Sequence, residues 1–134
     1  MSDHIRLDGI TVNAPDALAL ARFYAEITDG VARGTSRWAA VAGPNAFIAF
    51  QQVDQFEPPT WPDNSVPMQM HLDFLVDDPE TAGARALAAG ATRLEFQPNS
   101  DHCLVYLDPA GHPFCLSTWH GQDLFDSAPD NHVK

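Results

Sequence analysis

The stretch that decides the fold is "HLDFLVDDPETAGARALAAGA", residues 71–91. Its opening alternates in the manner of a strand, which sets His71 and Asp73 on one face because side chains repeat every two residues. The "DDP" that follows is a turn. Asp78 is the expected N-cap of a helix, with Pro79 at its first position, where a missing N–H costs nothing. The alanine-rich run then ends at Gly90, which is able to take a left-handed backbone. Strand, capped helix and glycine stop make one half of a pattern, and the other half stands earlier in the chain.

Residues 7–14, "LDGITVNA", form a short alternating run, and "PDALALARFYAEI" follows as a helix with Asp16 as its N-cap. Leu20, Phe23, Tyr24 and Ile27 recur at helical spacing and form its expected buried face. "TDG" at 28–30 stops it, with Gly30 the expected left-handed residue. A short strand over 31–34 precedes two more, "RWAAVAG" and "AFIAFQQV", joined by a turn at Gly43-Pro44-Asn45. After Gly90, "TRLEF", "HCLVYLD" and "PFCLSTW" supply three strands in the same order. Superposing the helix starts offsets the halves by 62 residues, and superposing the last strands offsets them by 66. The expected fold is therefore α+β, two tandem βαβββ modules. The expected organisation is one domain over 1–134. The first module covers 5–53, a Pro-rich crossover 54–68, the second module 69–119 and a polar tail 120–134. Pro58, Pro59, Pro62 and Pro67 predict a stiff, extended crossover, with Trp61 docked on the body of the protein.

A length of 134 residues is enough for one core, and 45% hydrophobic with 19% charged residues is the composition of a soluble globular chain. No run approaches the roughly 20 apolar residues of a membrane span. The start, "MSDHIRLDG", has no secretory pattern, so a cytoplasmic location is expected. With 18 acidic residues against 7 basic ones the formal charge is −11, which repels nucleic acid and anionic membranes. Neither is an expected partner. Cys103 and Cys115 lie on neighbouring strands joined by "DPAGHP". A turn pairing residues whose numbers sum to about 221 sets Cys103 opposite Thr118 and Cys115 opposite Tyr106, too far apart to bridge. Both thiols are expected to be free.

Two βαβββ halves in this length, with "PDALALARFY", "PPTWPD", "HLDFLVDD", "ALAAGA" and "DPAGHPFCL" in order, resemble the vicinal oxygen chelate superfamily. That superfamily holds glyoxalase I, extradiol dioxygenases and bleomycin-resistance proteins, and the motifs look like its glyoxalase-like subgroup. The resemblance covers roughly residues 5–119 and implies mixed sheets that curl into cups around a central pocket, and often a homodimer. Metal-dependent members place a His or Gln on the first strand of each half and a Glu on its last strand. Those positions fall here on Gly9, Ala49, His71 and Cys115. Gly9 and Ala49 have no side chain able to bind a cation, so no resident metal or cofactor is expected. His71, Asp73 and Cys115 could together hold zinc, but neighbours on one strand face seldom both reach one ion. The other histidines, His4, His102, His112, His120 and His132, lie in turns or tails and are expected to be solvated.

An inward Asp73 is costly unless paired, and His71 is the adjacent partner, so the two form a candidate acid–base pair. The competing reading is a satisfied polar pair that only fixes register. Cys115 divides in the same way between a thiol activated by His71 and a small hydrophobe. Alternation adds Thr11, Phe47, Gln51 and Ser117 as ligand-binding candidates, with Trp38, Trp61, Tyr106 and Trp119 as aromatic walls. The expected function is binding of a small, aromatic or apolar organic ligand in a metal-poor pocket, as in resistance by sequestration. A metal-independent lyase or isomerase using His71 and Asp73 is the alternative, followed by a metal-dependent lyase or dioxygenase.

Overall fold

The computed structural model describes residues 4–43 and 47–126. The turn at Pro44-Asn45, His132 and the end of the expected tail lie outside the described residues. The chain divides into two compact units. One runs to Pro58 and takes in Asp108–Gly111, and the other holds Pro59–Leu107 and the residues from His112 on.

In the first unit, β1 (Ile10–Ala14), α1 (Ala17–Thr28), β2 (Val31–Gly34), β3 (Trp38–Ala42) and β4 (Phe47–Gln52) follow in chain order. The sheet order is β1-β4-β3-β2, so the first and last strands are neighbours, and they pair in parallel with Thr11 opposite Ala49. Asp16 caps α1 as expected, its side chain accepting from the Ala19 N–H at 3.0 Å. The left-handed residue at its end is Asp29, at φ 58°, one place before Gly30. The Asp29 N–H bonds back to the Ala25 carbonyl, and a short polar side chain tolerates this conformation. Leu20, Phe23 and Tyr24 are buried, and Tyr24 stacks on Phe50 at 5.7 Å. That contact marks the Ile48–Phe50–Gln52 face of β4 as the helix side. The Tyr24 hydroxyl also donates to Asp108 Oδ2 at 2.6 Å.

The second unit repeats the order with β5 (Leu72–Leu75), α2 (Pro79–Ala89), β6 (Thr92–Arg93), β7 (Cys103–Leu107) and β8 (Pro113–Ser117), and then a short α3 (Asp123–Asp126) within the expected tail. Its sheet order is β5-β8-β7-β6, again with first and last strands parallel, and Asp73 stands opposite Cys115. Thr11 to Asp73 is 62 places and Ala49 to Cys115 is 66, the two offsets read from sequence. Asp78 caps α2 by accepting from Glu80 N–H and Thr81 Oγ1, and Gly90 ends it at φ 119°. Gly83 on α2 has a packing reason: a Cβ there would collide with the Tyr106 hydroxyl. Tyr106 thus points at the helix, where it stacks on Phe114 and is 1% exposed.

Three expectations need correcting. "TRLEF" is a strand only over Thr92–Arg93, because the Gln97 side chain takes the next ladder positions. Its amide donates to the Leu94 and Val105 carbonyls and accepts from the Val105 N–H, at 2.7, 2.9 and 2.8 Å. The crossover is not extended. The Thr60 N–H bonds to the Val66 carbonyl at 2.9 Å and the Val66 N–H to Thr60 Oγ1 at 2.9 Å, which closes residues 60–66 into a loop. The Trp61–Pro62 peptide in it is cis, and Trp61 packs on Phe96 at 5.5 Å. His102 is not solvated: its ring stacks on Trp119 at 3.9 Å and its Nδ1 lies 2.9 Å from Asp101 Oδ1. Trp119 therefore serves this stack and not a pocket wall.

Candidate functional site

The site grows from the parallel β5–β8 pair. Asp73 is opposite Cys115, and alternation brings His71, one residue before β5, to the same face. His71 Nε2 lies 3.2 Å from Asp73 Oδ1. One potential ligand atom from each of His71, Asp73 and Cys115 lies within 4.8 Å of the other two. The expectation of an inward, desolvated carboxylate is corrected, since the Asp73 side chain is 66% exposed. An exposed pair contributes only about 0–1 kcal/mol to stability, so register does not depend on it. What the pair offers is chemistry at a surface that solutes can reach.

Cys115 is buried beneath this face. Burial pushes its thiol up, and the Cys103 thiol and the Asp73 carboxylate beside it push the same way. Such a thiol is neutral at ordinary pH and is not an activated nucleophile. The nearness of Cys103 overturns the expected hairpin register. Cys103 pairs with Ser117 and Val105 with Cys115, so the paired numbers sum to 220. A slip of one residue flips every side chain to the other face. In the observed register Cys103, Val105, Cys115 and Ser117 share one face, and Leu104 and Tyr106 share the helix side. Both cysteines are free.

On this face the second unit holds a recess of about 160 Å³, lined by Trp61, Met68, His71, Cys103, Val105 and Cys115. Pro98, Asn99 and Pro113 complete its wall. Of the residues expected to bind ligand, the recess brings together Trp61 and Cys115, and His71 of the candidate acid–base pair joins them while Asp73 does not line it. Tyr106 is excluded because it faces α2. Ser117 is on the right face but is buried, and its Oγ accepts from the Trp119 N–H at 2.9 Å. Thr11, Trp38, Phe47 and Gln51 do share a face, as alternation predicts, on the side of the first sheet away from α1. Gln51 there donates to Asn13 Oδ1 at 2.7 Å, and none of the four lines the recess. Sequence reasoning missed Cys103 and Val105, which alternation would have found had the hairpin been paired one residue differently. Met68, Pro98 and Asn99 come from irregular segments with no periodic signal.

A family model described as a glyoxalase-like domain matches residues 9–117. The chain belongs to the glyoxalase-like domain family. No curated protein matches its sequence. Solved structures share the fold of this glyoxalase-like chain at low identity. The fosfomycin resistance protein FosX from Mesorhizobium loti is 16% identical, with a TM-score of 0.65 over 95% of this chain and 100% of that one. A glyoxalase/bleomycin resistance protein/dioxygenase family enzyme from Burkholderia phytofirmans is 19% identical, with a TM-score of 0.60 over 79% and 92%. A FosX variant from Listeria monocytogenes, 15% identical with a TM-score of 0.65 over 91% and 94%, is complexed with Mn(II) and a dihydroxypropylphosphonic acid.

The residues of this glyoxalase-like domain do not fit a divalent metal of the family's usual kind. Such an ion wants several oxygen or imidazole donors in near-octahedral array. Gly9 and Ala49 offer none. The space at Gly9 is also closed, because a Cβ there would stand 2.7 Å from Phe47 Cδ2 and 2.9 Å from the Phe47 carbonyl oxygen. No catalytic step through that metal follows from these side chains. Among the described residues, no helix is long and apolar enough to cross a membrane.

Proposed function

We propose that this glyoxalase-like domain binds a small organic molecule in the recess of its second module, with His71 and Asp73 meeting the ligand's polar end. The observation that carries this reading is the recess itself, a mostly apolar concavity with one imidazole in its wall. Recesses that hold drug-sized ligands run to roughly 300–1,000 Å³. About 160 Å³ therefore favours a compact metabolite over a polycyclic antibiotic, which narrows the aromatic natural products expected from sequence. Apolar contact with Trp61, Met68 and Val105 would supply the affinity, and His71 would select a carbonyl or carboxylate by hydrogen bonding.

The second reading, proton transfer, rests on the 3.2 Å approach of Asp73 to His71. A carboxylate at one imidazole nitrogen fixes the ring's orientation and leaves the other nitrogen to face a bound carbonyl compound, the arrangement of an oriented general base. Isomerisation or elimination without a metal is the chemistry it could run.

Trp61 in the wall provides the test. With Trp38 and Trp119 replaced by phenylalanine, titration with small carbonyl and carboxylate compounds is expected to quench Trp61 saturably. A dissociation constant on the order of 10 μM to 1 mM suits so small a ligand. His71→Ala should weaken binding of the polar compounds about tenfold or more, while apolar analogues lose little. Saturable binding left unchanged by His71→Ala and by Val105→Trp would overturn the proposal.

A further inference from the structure

We propose that Cys103, Cys115, His71 and Asp73 form a tetrahedral site for a thiophilic divalent cation of the zinc class, contained within the second module. The site is not the metal centre that the family resemblance implies. It shares His71 and Cys115 with the positions that centre would use, but it adds Cys103 and Asp73 and leaves out Gly9 and Ala49.

The geometry is close to what such an ion needs. Zinc bonds of about 2.0–2.1 Å to nitrogen or oxygen and about 2.3 Å to sulfur, at tetrahedral angles, set neighbouring ligand atoms roughly 3.3–3.8 Å apart. His71 Nε2 and Asp73 Oδ1 are already 3.2 Å apart. Cys115 Sγ completes a trio whose ligand atoms all lie within 4.8 Å of one another, so side-chain rotation of about 1 Å closes it. Cys103 shares the face of Cys115, diagonal to it across the β7–β8 pair, and lines the same recess, which puts a fourth donor beside the trio. Cys103, Cys115 and His71 all line the recess, which gives the ion a way in.

The donor set decides which ion. Two thiolates and an imidazole are soft to borderline and favour zinc or cadmium, whereas magnesium and manganese prefer carboxylate, carbonyl and water. A disulfide is a poor competitor. Cys103 and Cys115 are diagonal across the β7–β8 pair, since Cys103 faces Ser117 and Val105 faces Cys115. Diagonal neighbours are about 7–8 Å apart, at or beyond the limit of roughly 7 Å for a bridge. Binding releases both thiol protons, so affinity should rise with pH. The cation would take the imidazole nitrogen that faces Asp73, so it and the acid–base role proposed above exclude each other.

The test uses the full chain, free of any affinity tag and stripped with a chelator, and titrates Zn²⁺, Cd²⁺, Mg²⁺ and Mn²⁺ against a competing chromophoric chelator. One Zn²⁺ or Cd²⁺ per chain is expected, with a sulfur-to-cadmium charge-transfer absorption in the ultraviolet, and no comparable uptake of Mg²⁺ or Mn²⁺. Cys103→Ser, Cys115→Ser and Asp73→Asn should each lower affinity by at least about tenfold, the lower range seen when even an outer-shell partner of a metal ligand is lost. The two serine variants should also weaken the absorption. Circular dichroism of each stripped variant separates lost ligation from lost folding, and His120→Ala controls for surface imidazole. No stoichiometric uptake of Zn²⁺ or Cd²⁺, a preference for Mn²⁺, or undiminished Zn²⁺ affinity in folded Cys103→Ser would overturn the site. Organic-ligand binding by the stripped protein is a separate reading, so failure here leaves the recess proposal to its own experiment.

Discussion

Gly83→Ala is expected to destabilise the protein by about 2 kcal/mol, against the usual direction of that substitution in a helix. Helix propensity alone favours alanine over glycine by about 1 kcal/mol. Opposing it, the new Cβ would collide with the Tyr106 hydroxyl oxygen and lie 2.8 Å from Cζ. Tyr106 is 1% exposed and stacked on Phe114, so it has little room to withdraw. Overpacking of this kind costs about 1–3 kcal/mol or more, and the overlap here is deep, so the steric term wins. For a chain of this size the midpoint of thermal unfolding should fall by about 5–10 °C. Tyr106→Phe removes the nearest atom, so the double variant should be less destabilised than the two single effects added together. A rise in midpoint for Gly83→Ala would show that α2 does not press on Tyr106.

The second large effect is expected at Tyr24 and Asp108. The Tyr24 hydroxyl donates to Asp108 Oδ2 at 2.6 Å, and Asp108 Oδ1 accepts from the Ala110 N–H at 2.9 Å. A hydrogen bond to a charged acceptor contributes about 1.5–3 kcal/mol, so Tyr24→Phe should cost about that much. Burial first, then the Asp108 charge and hydrogen bond, raise the Tyr24 hydroxyl well above its ordinary 10.0. A group raised on folding leaves stability intact below its unfolded value and loses it as pH climbs beyond, because only the unfolded chain ionises. Urea unfolding measured from pH 7 upward should therefore show a Tyr24-dependent loss of stability above about pH 10, added to the loss that the raised Cys115 thiol begins near pH 9. Tyr24→Phe should flatten that decline by up to about 1.4 kcal/mol per pH unit. An equally steep alkaline limb in the variant would assign the loss to other groups.

Much of the fold was legible because helix starts and strand alternation are local signals. Asp16 and Asp78 are caps in fact as in pattern, and the offsets of 62 and 66 match the observed β1–β4 and β5–β8 registers. What was not legible depends on tertiary partners. Whether the 92–96 strand continues depends on a glutamine side chain that occupies ladder positions. The shape of the crossover depends on the Thr60 hydroxyl. The site suffered from one residue of register in the β7–β8 hairpin, which hid Cys103 and Val105 and promoted Tyr106. Turn geometry sets that register, and "DPAGHP" allows more than one pairing.

The most direct measurement is chemical-shift mapping on isotope-labelled, chelator-stripped protein, titrated with the small carbonyl or carboxylate compound that best quenches Trp61. Saturable shifts centred on Trp61, His71, Cys103, Val105 and Cys115, with a midpoint moved about tenfold or more upward in His71→Ala, are predicted. Saturable shifts centred instead on Thr11, Trp38, Phe47 and Gln51 would contradict a functional site housed in the second module.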